Sequence, residues 1–559
     1  DAMHELRSVP CSNPSCSYCV ETHDPVQQLQ KFFGFDAFRP EPSMPEDPSR
    51  SLQEEIVTKA MGGRPLLTIL PTGGGKSLCF QLPALQRYYR DGSLTVVISP
   101  LQALMKDQVD GLANKTGVRC VGALHGLLTP PERGELMEEL QMGGIGIIYV
   151  SPEQLRNPSF RSAIALRDIG FWVCDESHCI SKWGHDFRPD YLYISRFIRE
   201  LAESNQVAEI APVLCLTATA KEDVKEEIRR HFKDQLGQDL LLLDGGAERT
   251  NLAYQVQPVE GNPVHKAARI HEILADRLQG ESGAAVVFVS TRLNAEQTAE
   301  ILKSLKWSAE HFHAGMDPEE KKDVLDRFIA GDIRVICATN AFGMGIDKED
   351  IRLVIHADVP GSLENYLQEA GRAGRDRQPA ECILLFNEQD LERQFSMGAF
   401  SRILESDIRK ILSALRTAER RSGKNDGVCV STREILSGCK GGTTMEEEPD
   451  GMIDTKVKTA VAVLEEGEFL ARNDNLTRVF QGRPLVEDME QAEPLIQRAN
   501  LPPQSAELWR QFMRVFLELP ENAPNAIESF AEVSAMTQIY ENEKEKHGRF
   551  WNRYRPIFD

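Results

Sequence analysis

Leu70 to Leu78 reads LPTGGGKSL, and the fold turns on what this stretch is. It follows the apolar run Leu66-Leu67-Thr68-Ile69 and precedes a segment with helical spacing through Phe80, Leu82 and Leu85. Strand, glycine turn and helix start, in that order, make a phosphate-binding loop. The glycines let backbone N–H groups turn inward around phosphate oxygens, and the following helix offers its positive N-terminal end. Thr72, Gly73, Gly74, Gly75, Lys76 and Ser77 are the candidate nucleotide-binding residues here, Lys76 as a mobile cation for the β and γ phosphates and Ser77 as a hydroxyl for Mg²⁺. The first glycine of G-x-x-x-x-G-K-[ST] is missing, with Pro71 near its place. A loop of this kind can also be no more than a turn, so the company it keeps carries the argument.

Working outward, the runs LLTIL, LTVVIS, GIGIIYV, FWVCDE and VLCLTA alternate with helical patterns from Leu66 to Leu216. None alternates with period two, which predicts strands buried on both faces in a parallel sheet covered by helices. Ligands of such sheets bind at the carboxyl ends of the strands. Pro71–Ser77, Ser99–Pro100, Ser151–Pro152, Asp175–His178 and Thr217–Thr219 all fall at those ends. In Asp175-Glu176-Ser177-His178, Asp175 can share Mg²⁺ with Ser77 while Glu176 orients and activates an attacking water; a strand-end acidic pair can otherwise serve as a helix cap. The loop from Cys179 to Tyr191, CISKWGHDFRPDY, mixes Trp183, Phe187 and Tyr191 with Lys182, His185 and Arg188. Aromatic faces stack unpaired bases and cations meet phosphates, so the loop suits single-stranded nucleic acid, with core packing of the aromatics as the alternative.

Gly245-Gly246 marks a hinge, and beyond it a second alternation runs through AAVVFVS, HFHAG, IRVICAT, LVIHAD and AECILLF without a phosphate loop of its own. It ends in Gln368–Asp376, QEAGRAGRD, whose Arg372 and Arg375 share one face if that stretch is helical. Arginines on a second domain can reach the γ-phosphate of nucleotide on the first, a contribution of roughly 10³–10⁵ in rate. Hydrolysis then depends on domain closure.

Upstream, Cys11, Cys16 and Cys19 form C-x4-C-x2-C with His4 and His23 nearby. Three thiols with His23 suit a tetrahedral zinc site, ahead of an iron–sulfur cluster, the alternative being a leader with unused thiols. In LQKFFGFDAFRP, Leu29 to Pro40, with Leu52-Gln53 beyond, Phe35 and Arg39 can stack on a purine and the Gln53 amide can pair with its edge, although Phe35 or Phe38 can equally be core.

A chain of 559 residues has room for several domains, and 41% hydrophobic with 27% charged residues is a globular balance. The formal charge of -21 argues against a basic coat yet leaves space for a narrow basic groove. No apolar run approaches the roughly 20 residues of a membrane span. The first residues lack a secretory leader's pattern, which carries little weight in a chain that begins with Asp. Most of the 12 cysteines, among them Cys79, Cys174, Cys215 and Cys337, read as small buried hydrophobes of apolar strands in a reducing compartment. Past Phe395 the pattern turns helical and acidic. Thr432–Leu436 and Thr455–Leu464 read as helices, and FLAR, NDN and LTRVF as a hairpin. That is the outline of a winged helix at about 428–485, able to grip duplex DNA or to dock a partner. Lys544–Phe558 reads as a packed or partner-bound tail.

With these residues in view, the chain resembles the RecQ family of superfamily 2 DNA helicases from about Leu29 to Phe386. The likeness rests on FGFDAFRP with Gln53, LPTGGGKSLCFQLPAL, SPLQALMKDQ, DESHCISKWGHDFRPDY, LTATA, ATNAFGMGIDK and QEAGRAGRD. LTATA and QEAGRAGRD set it apart from the RNA-directed DEAD-box group. The resemblance implies two tandem RecA-like α/β domains, at 26–245 and 246–395; a Cys-rich segment at 1–25, without a counterpart in the family, precedes them, and a mainly helical region at 396–559 follows. It implies Mg²⁺- and ATP-driven 3′-to-5′ translocation on single-stranded or forked DNA with strand separation. Lys76, Asp175, Glu176, His178, Gln368, Arg372 and Arg375 would be catalytic. Lys182, Trp183, Phe187 and Arg188 would couple DNA to hydrolysis, Thr217 and Thr219 would link the two sites, and Thr339 with Asp347 would belong to the DNA- and nucleotide-coupling motif. The setting would be cytoplasmic at the nucleoid in a bacterium or nuclear in a eukaryote, with no membrane partner and with protein partners at the terminal regions. Two features depart from the family pattern. Glu41–Leu52 separates FRP from Gln53, and only Cys429 and Cys439 stand where relatives often carry four zinc cysteines. Two competing readings are a duplex translocase or remodeller that does not part strands, and an ATP-gated binding subunit of a larger defence or repair complex.

Overall fold

The strands of the first half are β1 (Leu66–Ile69), β2 (Leu94–Ile98), β3 (Val121–Leu124), β4 (Ile147–Val150), β5 (Ile169–Cys174), β6 (Val213–Thr217) and β7 (Leu241–Asp244). They form one sheet in the order β3-β4-β2-β5-β6-β1-β7, and every pairing in it is parallel. Neighbouring residues of a strand feed opposite cores: Leu67, Val96 and Ile148 join one cluster, while Leu66, Val97 and Ile147 join the other. Both faces are therefore apolar, which is why these strands read as unbroken hydrophobic runs. The edge strands β3 and β7 were not expected. β3 (VGAL) carries a glycine, and β7 (LLLD) is only half-buried and ends in an exposed aspartate, so neither shows a fully covered apolar run.

The second half forms β8 (Leu252–Pro258), β9 (Ala284–Phe288), β10 (Ala309–Phe312), β11 (Val335–Ala338), β12 (Ile351–His356) and β13 (Ala380–Phe386), all parallel in the order β10-β11-β9-β12-β13-β8. Again the two faces are separately apolar, with Val286 on one side and Val287 on the other. β8 is an edge strand of mixed polarity (LAYQVQP) and was missed in the sequence for that reason. Two parallel-sheet α/β lobes followed by helices is the architecture expected. The computed structural model describes residues 10, 11, 13, 15–39, 51–100, 102–125, 128, 130–181, 188–207, 209–218, 220–246, 249–260, 263–279, 282–340, 342, 348–392, 404–422, 430–439, 450–467, 469–472, 488–498, 506, 507, 510 and 514.

The N-terminal segment packs on the first lobe. Asp24 caps the helix Pro25–Phe33 by accepting from Val26 and Gln27 N–H, and Leu29 of that helix is buried with Phe38, Val57, Met61 and Leu82. The preceding helix, Ser17–His23, is tied to the same lobe where Gln86 Nε2 donates to the Thr22 carbonyl at 3.1 Å. Cys79 departs from expectation in being buried on a helix, Lys76–Asp91, and not on a strand.

In the C-terminal region the helices Glu405–Ser422, Thr432–Ser437 and Asp450–Glu466 share a small core of Ile411, Ala414, Ile435, Cys439, Val457, Ala460 and Leu464. This bundle docks on the first lobe through Arg156, which is 2% exposed. The Arg156 guanidinium lies 3.6 Å from the Tyr193 ring centroid and donates to Glu465 at 3.0 Å and to the Arg472 carbonyl at 3.2 Å. Arg472 in turn pairs with Glu465 at 2.6 Å and with Asp190 at 3.3 Å. Of the hairpin expected after this bundle, the first segment, residues 469–472, is irregular and forms no strand, while its remaining residues, the Cys429 position and the Lys544–Phe558 tail lie outside the described residues. No described helix is long and apolar enough to cross a membrane.

Candidate active site

β1 ends in a backbone turn that only glycine adopts without strain. Gly73 has φ 77° and Gly75 φ 80°, and Gly75 is the N-cap of the helix Lys76–Asp91. That turn points the first helical N–H groups and Lys76 toward the carboxyl end of the sheet. Asp175 follows β5 directly and extends its pairing, its N–H donating to the Ile98 carbonyl at 2.9 Å. The Asp175 carboxylate accepts from Glu176 N–H at 3.0 Å and from the Ser99 hydroxyl at 3.4 Å. Burial, and then the adjacent Glu176, push this carboxyl up to about 7, against the pull of Lys76. Glu176 sits at φ 48°, a left-handed conformation unusual for a residue with a side chain. It places its carboxylate 3.8 Å from Lys76 Nζ and 3.4 Å from His178 Nδ1. His178 Nδ1 also lies 2.9 Å from the Thr217 hydroxyl at the end of β6. Four sequence-distant strand ends thus meet at one point.

The nucleotide-side residues gather on the same loop. Gln53 Nε2 donates to the Gly75 carbonyl at 3.2 Å, Arg39 N–H donates to Gln53 Oε1 at 3.3 Å, and Arg39 Nη1 donates to the Gly73 carbonyl. Phe35 is 54% exposed beside them in sequence, leaving much of its ring in solvent.

The second lobe meets the first at this loop. The helix Leu363–Ala370, which carries a half-buried Gln368, stops before the arginines. Residues 371–376 are turns, so Arg372 and Arg375 do not share the helical face that their spacing suggested. The turn nevertheless lies against the phosphate loop. A Cβ on Gly371 would stand 2.8 Å from Thr72 Cβ, and one on Gly73 would stand 3.7 Å from Arg375 Cγ. Arg372 is 4% exposed, and its Nε has no hydrogen-bond partner. Burial, and then Arg375, pull its guanidinium down to about 9.

The donor set fits a nucleoside triphosphate with a divalent cation. A glycine cradle, a helix N-terminus, Lys76 and the second-lobe arginines could supply positive charge, and Ser77 and Asp175 are the residues that could offer hard oxygens to Mg²⁺.

Other candidates are placed apart from this centre or lie beyond description. Arg188 Nη1 donates to the Pro100 carbonyl at 2.9 Å, and Thr339 is buried at the end of β11 in the second lobe. Lys182, Trp183, Phe187, Thr219 and Asp347 are outside the described residues. Tyr191, grouped by sequence with the base-stacking aromatics, is fully buried instead, and its hydroxyl donates to the Asp175 carbonyl at 2.8 Å. At the N-terminus the ligand atoms of Cys11, Cys16 and Cys19 lie within 4.8 Å of one another. His23 is not in that group; its ring packs edge-on to Tyr18 at 6.3 Å. Three thiols fit three corners of a tetrahedral zinc site.

Sequence reading missed Ser99 as a partner of Asp175, and it missed Arg249 and Asn251 altogether. Arg249 Nη1 donates to the Thr72 carbonyl at 2.8 Å, and Asn251 Nδ2 donates to the Gly374 carbonyl at 2.9 Å. The only signal in the chain was a short polar stretch, Arg249-Thr250-Asn251, just past the paired glycines.

Comparison with known proteins agrees with this geometry. The DEAD/DEAH box helicase family matches residues 50–227, and the helicase conserved C-terminal domain matches residues 265–377. The probable ATP-dependent DNA helicase RecS of Bacillus subtilis is 35% identical over 398 residues, covering 71% of this chain and 73% of that protein. The ATP-dependent DNA helicase RecQ of Haemophilus influenzae is 36% identical over 378 residues, covering 68% of this chain but 56% of its own length. The chain thus spans little more than half of some of the relatives it matches. Among solved structures, the Mycobacterium smegmatis helicase Lhr bound to ssDNA and AMP-PNP superposes with a TM-score of 0.52 at 18% identity, over 75% of this chain and 55% of that one, a likeness of fold. From the paired lobes, the matched helicase regions and the identity to RecS over most of its length, this chain belongs to the RecQ family of superfamily 2 helicases.

Proposed function

We propose that the protein is an ATP-dependent DNA helicase that translocates 3′-to-5′ on single-stranded DNA and separates duplex ahead of it. The observation that carries this reading is the contact of the Gly371–Arg375 turn with Thr72 and Gly73 across the lobe interface. An arginine turn from one lobe that completes the phosphate loop of the other makes hydrolysis a reporter of closure. Repeated closure and opening on a strand is motion along it.

In this mechanism Lys76 and the helix N-terminus bind the β and γ phosphates, and Gln53, Arg39 and Phe35 hold the base. Ser77 and Asp175 would hold Mg²⁺, which would supply positive charge that offsets the phosphate oxygens. Glu176 orients the attacking water and takes its proton at the carboxylate, with His178, bonded to Thr217, 3.4 Å from that carboxylate. Gln368, Arg372 and Arg375 meet the charge that develops on the transferred phosphoryl group. Thr217, Thr219, Thr339, Asp347 and the loop bearing Lys182, Trp183, Phe187 and Arg188 couple this chemistry to DNA. The domain limits proposed are 26–245 and 246–395 for the lobes, with 1–25 and 396–559 flanking.

Turnover of ATP by the pure protein, measured alone and with single-stranded DNA, duplex DNA and RNA, tests the reading. We expect strong stimulation by single-stranded DNA, its loss in Lys76→Ala, and displacement of a labelled strand only from a fork with a 3′ tail. Stimulation without displacement would favour the ATP-gated subunit. For the N-terminal thiols we propose zinc. Elemental analysis should find about one zinc per chain, lost in Cys16→Ser; iron with visible absorbance would reassign the site.

A further inference from the structure

Arg249 has an unusual set of partners. Its Nε donates to Asn251 Oδ1 at 3.1 Å and its Nη1 to the Thr72 carbonyl at 2.8 Å and the Gly371 carbonyl at 3.4 Å. Its Nη2 donates to the Ala373 carbonyl at 3.1 Å and the Gly374 carbonyl at 2.6 Å. A guanidinium has five N–H groups, and here five acceptors surround it. Among the described residues it forms no ion pair, so its charge is met only by neutral oxygens. Thr72 belongs to the first lobe, while Gly371, Ala373 and Gly374 belong to the arginine turn of the second. Arg249 itself lies on the connection between the lobes, three residues before β8.

Asn251 completes the arrangement. Its side chain donates to the Gly374 carbonyl at 2.9 Å and the Gln378 carbonyl at 2.9 Å, and its own carbonyl accepts from Ala380 N–H at 3.0 Å. The turn that bears Arg372 and Arg375 is thereby held from behind by Asn251, and at its front edge by Arg249. All of the Arg249 bonds coexist only when the turn and the phosphate loop are side by side. When the lobes part, the bond to Thr72 has to break, while those to the turn can persist.

We propose that Arg249 is the positioning residue that sets the register of the arginine turn against the phosphate loop, so that Arg375 is delivered to the phosphates only on closure. It acts through backbone carbonyls and does not touch the substrate. This rests on the ATPase reading above. A shift of about 1 Å in a catalytic group can cost on the order of 100-fold in rate, so a fork of five bonds in this place has leverage on turnover.

The test is a double-mutant cycle of Arg249→Met with Arg375→Ala in the full chain, read by single-turnover hydrolysis of labelled ATP with saturating single-stranded DNA. Affinity for a fluorescent ATP analogue without DNA is measured alongside. We expect Arg249→Met alone to lower the rate by roughly 10- to 100-fold. Analogue affinity should stay within about threefold, because the lost register matters to the transition state and not to ground-state binding. In the Arg375→Ala background the same change should cost less than about threefold further, since both act on one step. Equal losses in both backgrounds, or a loss of analogue affinity as large as the loss of rate, would overturn the proposal. Should Arg249→Met fail to fold, Arg249→Lys, which keeps charge and stem but not the fork, enters the same cycle under the same criteria. Absence of turnover in the unaltered protein would instead refute the ATPase reading, so the two failures are separable.

Discussion

Two arginines, the buried Arg156 and the half-buried Arg249, each close a seam of this molecule, and they do so with opposite chemistry. Arg156 joins the C-terminal helices to the first lobe through carboxylates, with Glu465 at 3.0 Å and Asp190 at 4.0 Å, and through the face of Tyr193. Arg249 joins the two lobes through carbonyl and amide oxygens alone. A buried charge facing its counter-charge is costly to separate, because the pair would have to be broken in a poorly hydrated place. Bonds from a charge to dipoles alone are exchanged for water at roughly 1.5–3 kcal/mol each. The first seam is built as a fixed joint. The second has the chemistry of a joint that opens.

The contrast can be broken most readily at the moving seam. Arg375→Ala should lower DNA-stimulated ATP turnover by roughly 10³-fold or more while leaving the melting temperature nearly unchanged. A large drop in melting temperature with modest loss of rate would make this seam structural. At the fixed seam the outcome should be reversed. Arg156→Met removes one of the two guanidinium groups shared by Glu465 and Asp190, leaving them Arg472, and should destabilise docking of the C-terminal helices by about 1.5–3 kcal/mol, seen as early protease cleavage within 404–472. Turnover per folded molecule should hold, and a rate loss matching that of Arg375→Ala would erase the distinction. The smallest effect belongs to Lys221–Glu364, a cross-lobe pair at 3.0 Å whose lysine is 63% exposed. Lys221→Ala should change stability by under about 1 kcal/mol, and added salt should abolish the difference.

The fold was legible where the core writes a simple pattern. The central strands of both sheets were read as apolar runs because each is covered on two faces. β3, β7 and β8 escaped because edge strands are short or of mixed polarity, and their place comes from pairing with a neighbour. The phosphate loop and acidic pair were legible for a related reason: the chemistry demands particular side chains adjacent in the chain. Tyr191 follows the core-packing alternative, which the sequence left open because an aromatic ring in a mixed loop looks the same whether it faces a base or supports the Asp175 carbonyl. The helical face proposed for Arg372 and Arg375 failed because the chain leaves the helix at Gly371, which packs on Thr72.

By itself the sequence determined which residues can carry charge to a phosphate, and that two sheets of buried parallel strands would hold them. Only the tertiary structure decided that residues 371–375 meet residues 72–73 and that Arg249 is shared between them. Such contacts run from backbone oxygens more than 100 positions apart to a single guanidinium. Every residue type offers a carbonyl oxygen, so the order of amino acids leaves no mark where one will be used.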